Sequence, residues 1–311
     1  MQVHFGTELL KPEWAKSVVC MGTFDGVHIG HQAVISNAVT RAESLGLPCV
    51  LVTFDRHPAS ILAPNRCPKA INSLSKNLDT IRECGVSLAL VLPFDAALSR
   101  MSAEVFLDRI LLTSVRGQSI VVGHDFAMGQ GREGTAEWLA TRMATTVVPP
   151  VLVDGVRVSS SLIRDAISAG DMATATKMLG RPFAISGFVV QGQQLGRTLG
   201  YPTANVGRSF DQIMPADGIY AGRMTFARGL HYPKGTFDAA ISIGNRPTVN
   251  GDSRTIEAYL LDYPGDAIYG YNVQLELLEY LRPELRFESL DALVVQMGKD
   301  VQRVRAGLAA L

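Results

Sequence analysis

His28 and His31 stand three residues apart at the end of the run Gly22-Thr23-Phe24-Asp25-Gly26-Val27, with Ile29 and Gly30 between them. Two imidazoles at that spacing in the first turn of a helix share one face and reach the same ligand. The segment follows the apolar run Val18–Met21 and leads into Gln32-Ala33-Val34-Ile35, which reads as a helix. Strand, glycine-bearing turn and helix start together make an anion site, because the first helical amides lack internal partners and the helix dipole favours negative charge. Gly30 keeps a side chain away from the rings. The chemistry implied is phosphoryl or nucleotidyl transfer, in which the protein positions a nucleotide triphosphate and stabilises charge on its oxygens without supplying a nucleophile. His28 and His31 are the candidate catalytic groups here, and Gly22, Phe24, Asp25 and Gly30 the candidate contacts to the nucleotide triphosphate.

Two further clusters have phosphate chemistry. Ser159-Ser160-Ser161-Leu162-Ile163-Arg164 puts three hydroxyls at a helix start with an arginine one turn in. Hydroxyls and free amides bind phosphate oxygens, and a guanidinium grips them bidentately. Later, Gly192, Gly196 and Gly200 permit tight turns with exposed amides. Arg197 stands where a Walker loop has lysine, and the spacing is one residue short of that motif. Thr203 and Asn205 are two apart, so on an extended segment both point the same way. A hydroxyl and an amide oxygen are hard donors suited to Mg²⁺ carried with phosphate.

The elements that position these groups fall into two halves. At 311 residues the chain is long for one core, and two domains are expected. Over 1–180, apolar runs at Ser17–Met21, Cys49–Phe54, Leu88–Leu92, Ser119–Gly123 and Val147–Leu152 alternate with helical patterns such as Gln32–Leu45 and Leu74–Cys84. Non-alternating apolar runs separated by helices predict a doubly wound parallel sheet, with ligands at the carboxyl ends of its strands. Two short helices follow, the first opened by Ser159–Ser161, the second capped by Asp171 and stopped by Gly180. Beyond Phe183 short strands predominate, at Ala184–Val190, Ile219–Phe226, Ala239–Ile243, Thr255–Leu261 and Val273–Tyr280. They predict an all-β barrel or sandwich. A final helix carries Leu290, Leu293, Val294, Met297, Val301, Val304 and Leu308 on one stripe. The boundary reads near residue 182, giving domains 1–182 and 183–311.

Composition narrows the class. Formal net charge is zero and the charges are dispersed, which gives no footprint for nucleic acid or an anionic membrane surface. The four cysteines are scattered singly, which argues against a zinc site or disulfide framework and fits a cytoplasmic enzyme. Neither an apolar signal core nor a bilayer-spanning run is evident. Gly129-Gln130-Gly131-Arg132-Glu133-Gly134, with Asp154 beyond it, spells a dinucleotide fingerprint. Because His124–Met128 separate it from the preceding strand, it reads as a coincidence of spacing.

Residues 22–32 resemble the opening signature of the bacterial bifunctional riboflavin kinases/FMN adenylyltransferases, the FAD synthetases. Ser159–Arg164 is similar to the Ser-Ser-(Ser/Thr)-x-Ile-Arg with which that family closes its nucleotide domain. Gly196–Asn205, including Pro202, resembles its riboflavin kinase signature. The resemblance implies an α/β nucleotidyltransferase followed by a riboflavin-kinase barrel with a C-terminal helix. The expected substrates are riboflavin, FMN and ATP with Mg²⁺. It also implies that Thr203 and Asn205 hold the metal-bound nucleotide and that Glu257, in Glu257–Asp262, is the catalytic base. Ile243–Thr248 is similar to another family motif, Ile-Gly-x-x-Pro-Thr. Flavin contacts are implied at Phe54, His57 and Pro58, at Asp125 and Phe126, and at Arg282 in Arg282–Phe287. Three positions depart from the family pattern: Arg56 replaces a proline, Ala127 an arginine and Met128 a phenylalanine. Losing a cation and a ring beside a flavin phosphate is expected to weaken FMN binding. A second reading therefore stands beside the bifunctional one, a riboflavin kinase whose first half is a flavin-binding or regulatory module. Oligomeric state is not legible.

Overall fold

The computed structural model describes residues 1–311 except 9, 193–195, 197–198, 209, 228–234, 249–250, 266 and 310–311, with backbone alone at 245–248 and 251–253. The chain divides into two compact units, Met1–Ser160 and Ser161–Leu311.

The first unit opens with β1 (Gln2–Phe5), β2 (Ser17–Met21), α1 (Ile29–Leu45), β3 (Cys49–Phe54), α2 (Ala59–Leu62), α3 (Leu74–Glu83) and β4 (Leu88–Leu92). It continues through α4 (Ala96–Ser99), α5 (Ala103–Phe106) and β5 (Gly117–Gly123). The hairpin of β6 (Ala127–Met128) and β7 (Gly134–Thr135) follows, then α6 (Ala136–Ala140), β8 (Ala144–Val148) and the hairpin of β9 (Leu152–Val153) and β10 (Val156–Arg157). Six strands form one parallel sheet in the order β1-β4-β3-β2-β5-β8. Alternate residues feed opposite faces. Val19, Val50, Val52 and Ile120 pack with α5 and α6, whereas Val18, Leu51, Val91 and Val121 pack with α1 and α3. Burying both faces is why these strands read as unbroken apolar runs. Each such side chain contributes about 1.5–3 kcal/mol of burial free energy. Strand order reverses between β2 and β5, so the crevice outside their carboxyl ends is where a ligand is expected.

In the second unit, α7 (Ser160–Ala169) and α8 (Met172–Leu179) precede β11 (Phe183–Val190), β12 (Thr203–Arg208), β13 (Gly218–Phe226), β14 (Thr236–Thr248), β15 (Gly251–Leu260) and β16 (Asn272–Arg282). The strands close an antiparallel barrel in the order β11-β12-β15-β14-β13-β16. The last helix, α9 (Leu290–Leu308), is capped by Ser289 and packs on β13 and β14.

Several expectations shift. The division between the compact units falls after Ser160, the first residue of α7, earlier than the change in periodicity near residue 182. The reason is that α8 buries Met172, Ala175, Met178 and Leu179 and packs on β11 and β16. The strand read at Val147–Leu152 is β8, four residues wide of Leu152 at its end because Pro149 and Pro150 cannot donate to a ladder. The short β1 was not expected. Leu290, on the predicted stripe, is 57% exposed because it opens the helix.

Candidate active sites

In the first unit the turn after β2 is built from strained backbone. Phe24 (φ 50°) and Val27 (φ 38°) are left-handed without being glycine, and both side chains are buried. Such residues cost of order 1–3 kcal/mol each and persist where surrounding structure enforces them. Here the enforcement is visible. Both carboxylate oxygens of Asp25 accept from the Ile71 amide at 3.1 Å, and Oδ1 also accepts from Asn72 at 3.4 Å. Ser160 donates its hydroxyl to the Asp25 carbonyl at 3.1 Å, and Thr53 donates to the Thr23 carbonyl at 3.3 Å.

His28 is the N-cap of α1, its Nδ1 accepting from the His31 amide at 3.2 Å. That bond assigns the proton of a neutral His28 to Nε2, which is then a donor. The His28 and His31 rings stack at 3.6 Å and 17°, and Phe24 meets His31 edge-on at 5.3 Å. A Cβ on Gly30 would sit 3.1 Å from the His28 ring, so the glycine preserves that ring position. Burial, with His28 beside it, holds the His31 imidazole well below the usual histidine range. Its buried Nδ1 has no hydrogen-bond partner among the described residues.

The other first-unit candidates gather at the same sheet edge. Phe54 ends β3, and Pro58 caps α2, whose first amide, Ala59, donates to His57 Nδ1 at 3.1 Å. Asp125 and Phe126 follow β5, and Phe54 and Phe126 both lean on the same apolar core. Arg56 turns its guanidinium onto neighbouring Asp55 at 2.9 Å, and the Phe94 amide donates to that carboxylate at 2.9 Å. Burial raises the Asp55 carboxyl, but the bonds from Arg56 and Phe94 outweigh it, for a net lowering. Met128 is only 5% exposed and belongs to the core, so that departure from the family is a packing change and removes no exposed ring. Ala127 pairs with Thr135 in the small hairpin. Ser159 and Ser160 close the first unit; Ser161 and Arg164 follow on α7. The glycine fingerprint at 129–134 has a packing cause. A Cβ on Gly129 or Gly134 would run into Ala103, whose amide donates to Glu133 at 2.8 Å.

In the barrel, the pairing of β12 with β15 sets Asn205 opposite Glu257, and the pairing of β14 with β15 sets Ser242 on its other side. Thr203 donates its hydroxyl to Glu257 Oε2 at 3.1 Å. The Gly192 backbone lies directly over the Asn205 carboxamide, where a side chain would displace it. Gly196 closes a tight turn, its carbonyl accepting from Tyr201 at 2.8 Å and Leu199 at 3.2 Å; Gly200 is left-handed at φ 82°, and Pro202 leads into β12. Arg197 lies outside the described residues, as do the side chains of 245–248. Thr203, Asn205, Ser242 and Glu257 line one cavity of about 380 Å³, together with the edge-on pair Tyr201–Tyr259 and apolar side chains from 285 onward. Arg282 reaches the cavity wall, with its guanidinium bound to Asp300 of α9. Sequence reasoning missed Ser242, the tyrosine pair and Asp300. Ser242 was within reach, being two residues before Gly244 on the same strand face.

Comparison with known proteins matches each half. The FAD synthetase family model covers residues 10–162 and the riboflavin kinase model residues 179–308. A bifunctional riboflavin kinase/FMN adenylyltransferase of Pseudomonas fluorescens is 38% identical over 312 residues, covering 98% of this chain and 97% of the relative. The Escherichia coli K12 protein of the same description is 36% identical over 290 residues, covering 91% and 90%. A solved Streptococcus pneumoniae chain described as a macrolide-efflux protein has TM-score 0.89 at 30% identity, covering 98% and 99%. That likeness carries fold, and fold alone does not carry function. With two matched halves in the same order and relatives aligned nearly end to end, the chain belongs to the family of bifunctional riboflavin kinases/FMN adenylyltransferases.

Proposed function

We propose that the chain makes FMN and then FAD, the barrel phosphorylating riboflavin and the α/β unit joining the product to AMP from a second ATP. The observation that carries this reading is the Thr203–Glu257 contact at 3.1 Å on the wall of a cavity that also holds Asn205. Glu257 takes the proton of the riboflavin 5′-hydroxyl as its oxygen bonds to the γ-phosphorus. The bond from that phosphorus to the β-phosphate oxygen breaks, releasing ADP. Thr203 orients the carboxylate and, with Asn205, offers hard oxygen donors that fit Mg²⁺ arriving with ATP. When bound, that ion neutralises charge on the phosphate oxygens. The turns at Gly192, Gly196 and Gly200, with Arg197 and Pro202, cradle the nucleotide.

In the first unit, an FMN phosphate oxygen bonds to the α-phosphorus of ATP and pyrophosphate leaves. His28 donates from Nε2 to the phosphate oxygens, with His31 stacked beside it and the amides at the start of α1 adding donors. Gly22, Phe24, Asp25 and Gly30 shape that turn, Asp25 by clamping Ile71 and Asn72. Phe54, His57, Pro58, Asp125 and Phe126 flank it on the flavin side. The buried position of Met128 and the intact histidine pair favour a working transferase over a degenerate one. Cys20, Cys49, Cys67 and Cys84 are thiols rather than half-cystines, which supports a cytoplasmic setting.

Product chromatography after mixing the full chain with riboflavin and MgATP tests the reading. FMN should rise first and FAD follow; FMN accumulating with no FAD, even from supplied FMN, would sink the transferase half. We set the functional boundary at 182. A fragment from Ser161 should phosphorylate riboflavin without making FAD. A fragment from Arg181 should do the same with a lower melting temperature, having lost the face of α8.

A further inference from the structure

One wall of the barrel cavity is helical. Leu293, Met297 and Val301, one turn apart along α9, line it together with Arg282 and Asp300. Arg282 ends β16, and its guanidinium is taken up by that helix. Nε donates to Asp300 Oδ1 at 3.0 Å and Oδ2 at 3.2 Å, and Nη2 donates to Oδ2 at 2.6 Å. Nη1 donates to the Pro283 carbonyl at 2.9 Å. Gln296, one turn before Asp300 on α9, donates to Oδ1 at 2.9 Å. The two charged side chains are only 16% and 9% exposed. A planar fork on a carboxylate is directional, so this contact sets the rotation of the helix as well as its distance. Further ties of α9, Arg303 to the Leu281 carbonyl and to Glu279 and Arg305 to Asp262, come from residues that do not line the cavity.

We infer that Arg282, through Asp300 and Gln296, is a positioning residue for riboflavin. It fixes the face of α9 against which the apolar flavin ring packs and does not itself grip the flavin. The inference rests on the kinase reading of this cavity.

The test uses the full chain and three readouts: riboflavin Kd from flavin fluorescence quenching, kinase KM and kcat, and FAD formation from supplied FMN as a check of folding. Arg282→Met should raise riboflavin Kd and KM roughly tenfold and leave kcat within about threefold, because Glu257 and Thr203 stand on other strands. Adding Asp300→Leu should bring both constants back to within about threefold of the parent, since a packed apolar pair replaces a buried ion pair. A double variant no better than Arg282→Met would overturn the inference, because the guanidinium would then be acting on the flavin itself. Parental constants for Arg282→Met would overturn it too. If Arg282→Met does not fold, Arg282→Lys takes its place, keeping the charge without the fork, and the same direction is expected. Failure of the kinase reading would show in the unaltered chain, as riboflavin bound but not converted, and the Kd comparison would still decide the inference.

Discussion

The histidine pair and helix-start amides proposed to meet ATP in the α/β unit sit on one continuous turn, residues 22–31, whereas Thr203, Asn205 and Glu257 in the barrel come from separate strands brought into register. The first arrangement needs backbone in left-handed conformations at Phe24 and Val27 and a set of clamps from Asp25, Thr53 and Ser160 to hold it. The second needs no unusual backbone at Thr203, Asn205 or Glu257, because strand pairing alone aims the side chains. The loop-built groups therefore depend on clamps that never touch substrate, whereas Thr203, Asn205 and Glu257 are aimed by strand pairing without such clamps.

The sharpest way to break that comparison is at Glu257. Glu257→Gln keeps shape but cannot take the hydroxyl proton, so kinase turnover should fall by roughly 10²–10⁴. FAD formation from supplied FMN should be unaffected, and calorimetric MgATP titration should still show binding. Parental turnover would return Glu257 to the status of an ordinary strand residue. Next in size, His28→Ala should cut FAD formation on the order of 10²–10³ while FMN production continues. Equal loss of both products would mean that the cap, and not the phosphate contact, is what matters.

Smaller effects sharpen the contrast. Asp25→Asn removes a charged acceptor from the Ile71 and Asn72 amides and should destabilise the first unit by about 1.5–3 kcal/mol in denaturant titration. The barrel transition should not move. Acid should do something similar through His31, whose folded pKa is depressed, first by burial and then by His28. The unfolded chain binds that proton more readily, so stability is full above the unfolded value of about 6.5 and declines as pH falls below it. Melting curves from pH 7 to 5 should show the decline in the parent and a shallower one in His31→Asn.

Much of this was legible in the sequence where one segment carries both the element and its reason. β2, β3 and β4 coincide with their apolar runs, and the helix caps at Asp171 and Gly180 are where local rules put them. What escaped depends on partners far apart in the chain. The bonds from the Ile71 and Asn72 amides to the Asp25 carboxylate join residues more than forty apart and leave no local signal. Nothing near Arg282 in the sequence shows that its guanidinium is held by Asp300, eighteen residues on. The glycine run at 129–134 is set aside from its spacing alone, but the reason for those glycines, Ala103 lying against 129 and 134, is not visible in the sequence.

Closure of the barrel has a consequence for how the protein is made. β11 is paired on one side by β12 and on the other by β16, so its second edge stays open until residues 272–282 have been synthesised. During translation the first unit has every strand it needs long before that, while the barrel waits with an exposed ladder of amides and carbonyls. An unpaired edge of this kind is a template for pairing with other chains. The interval between the emergence of β11 and of β16 from the ribosome is thus the period in which nascent chains are most exposed to aggregation, and slowing translation across it should lower the yield of folded enzyme.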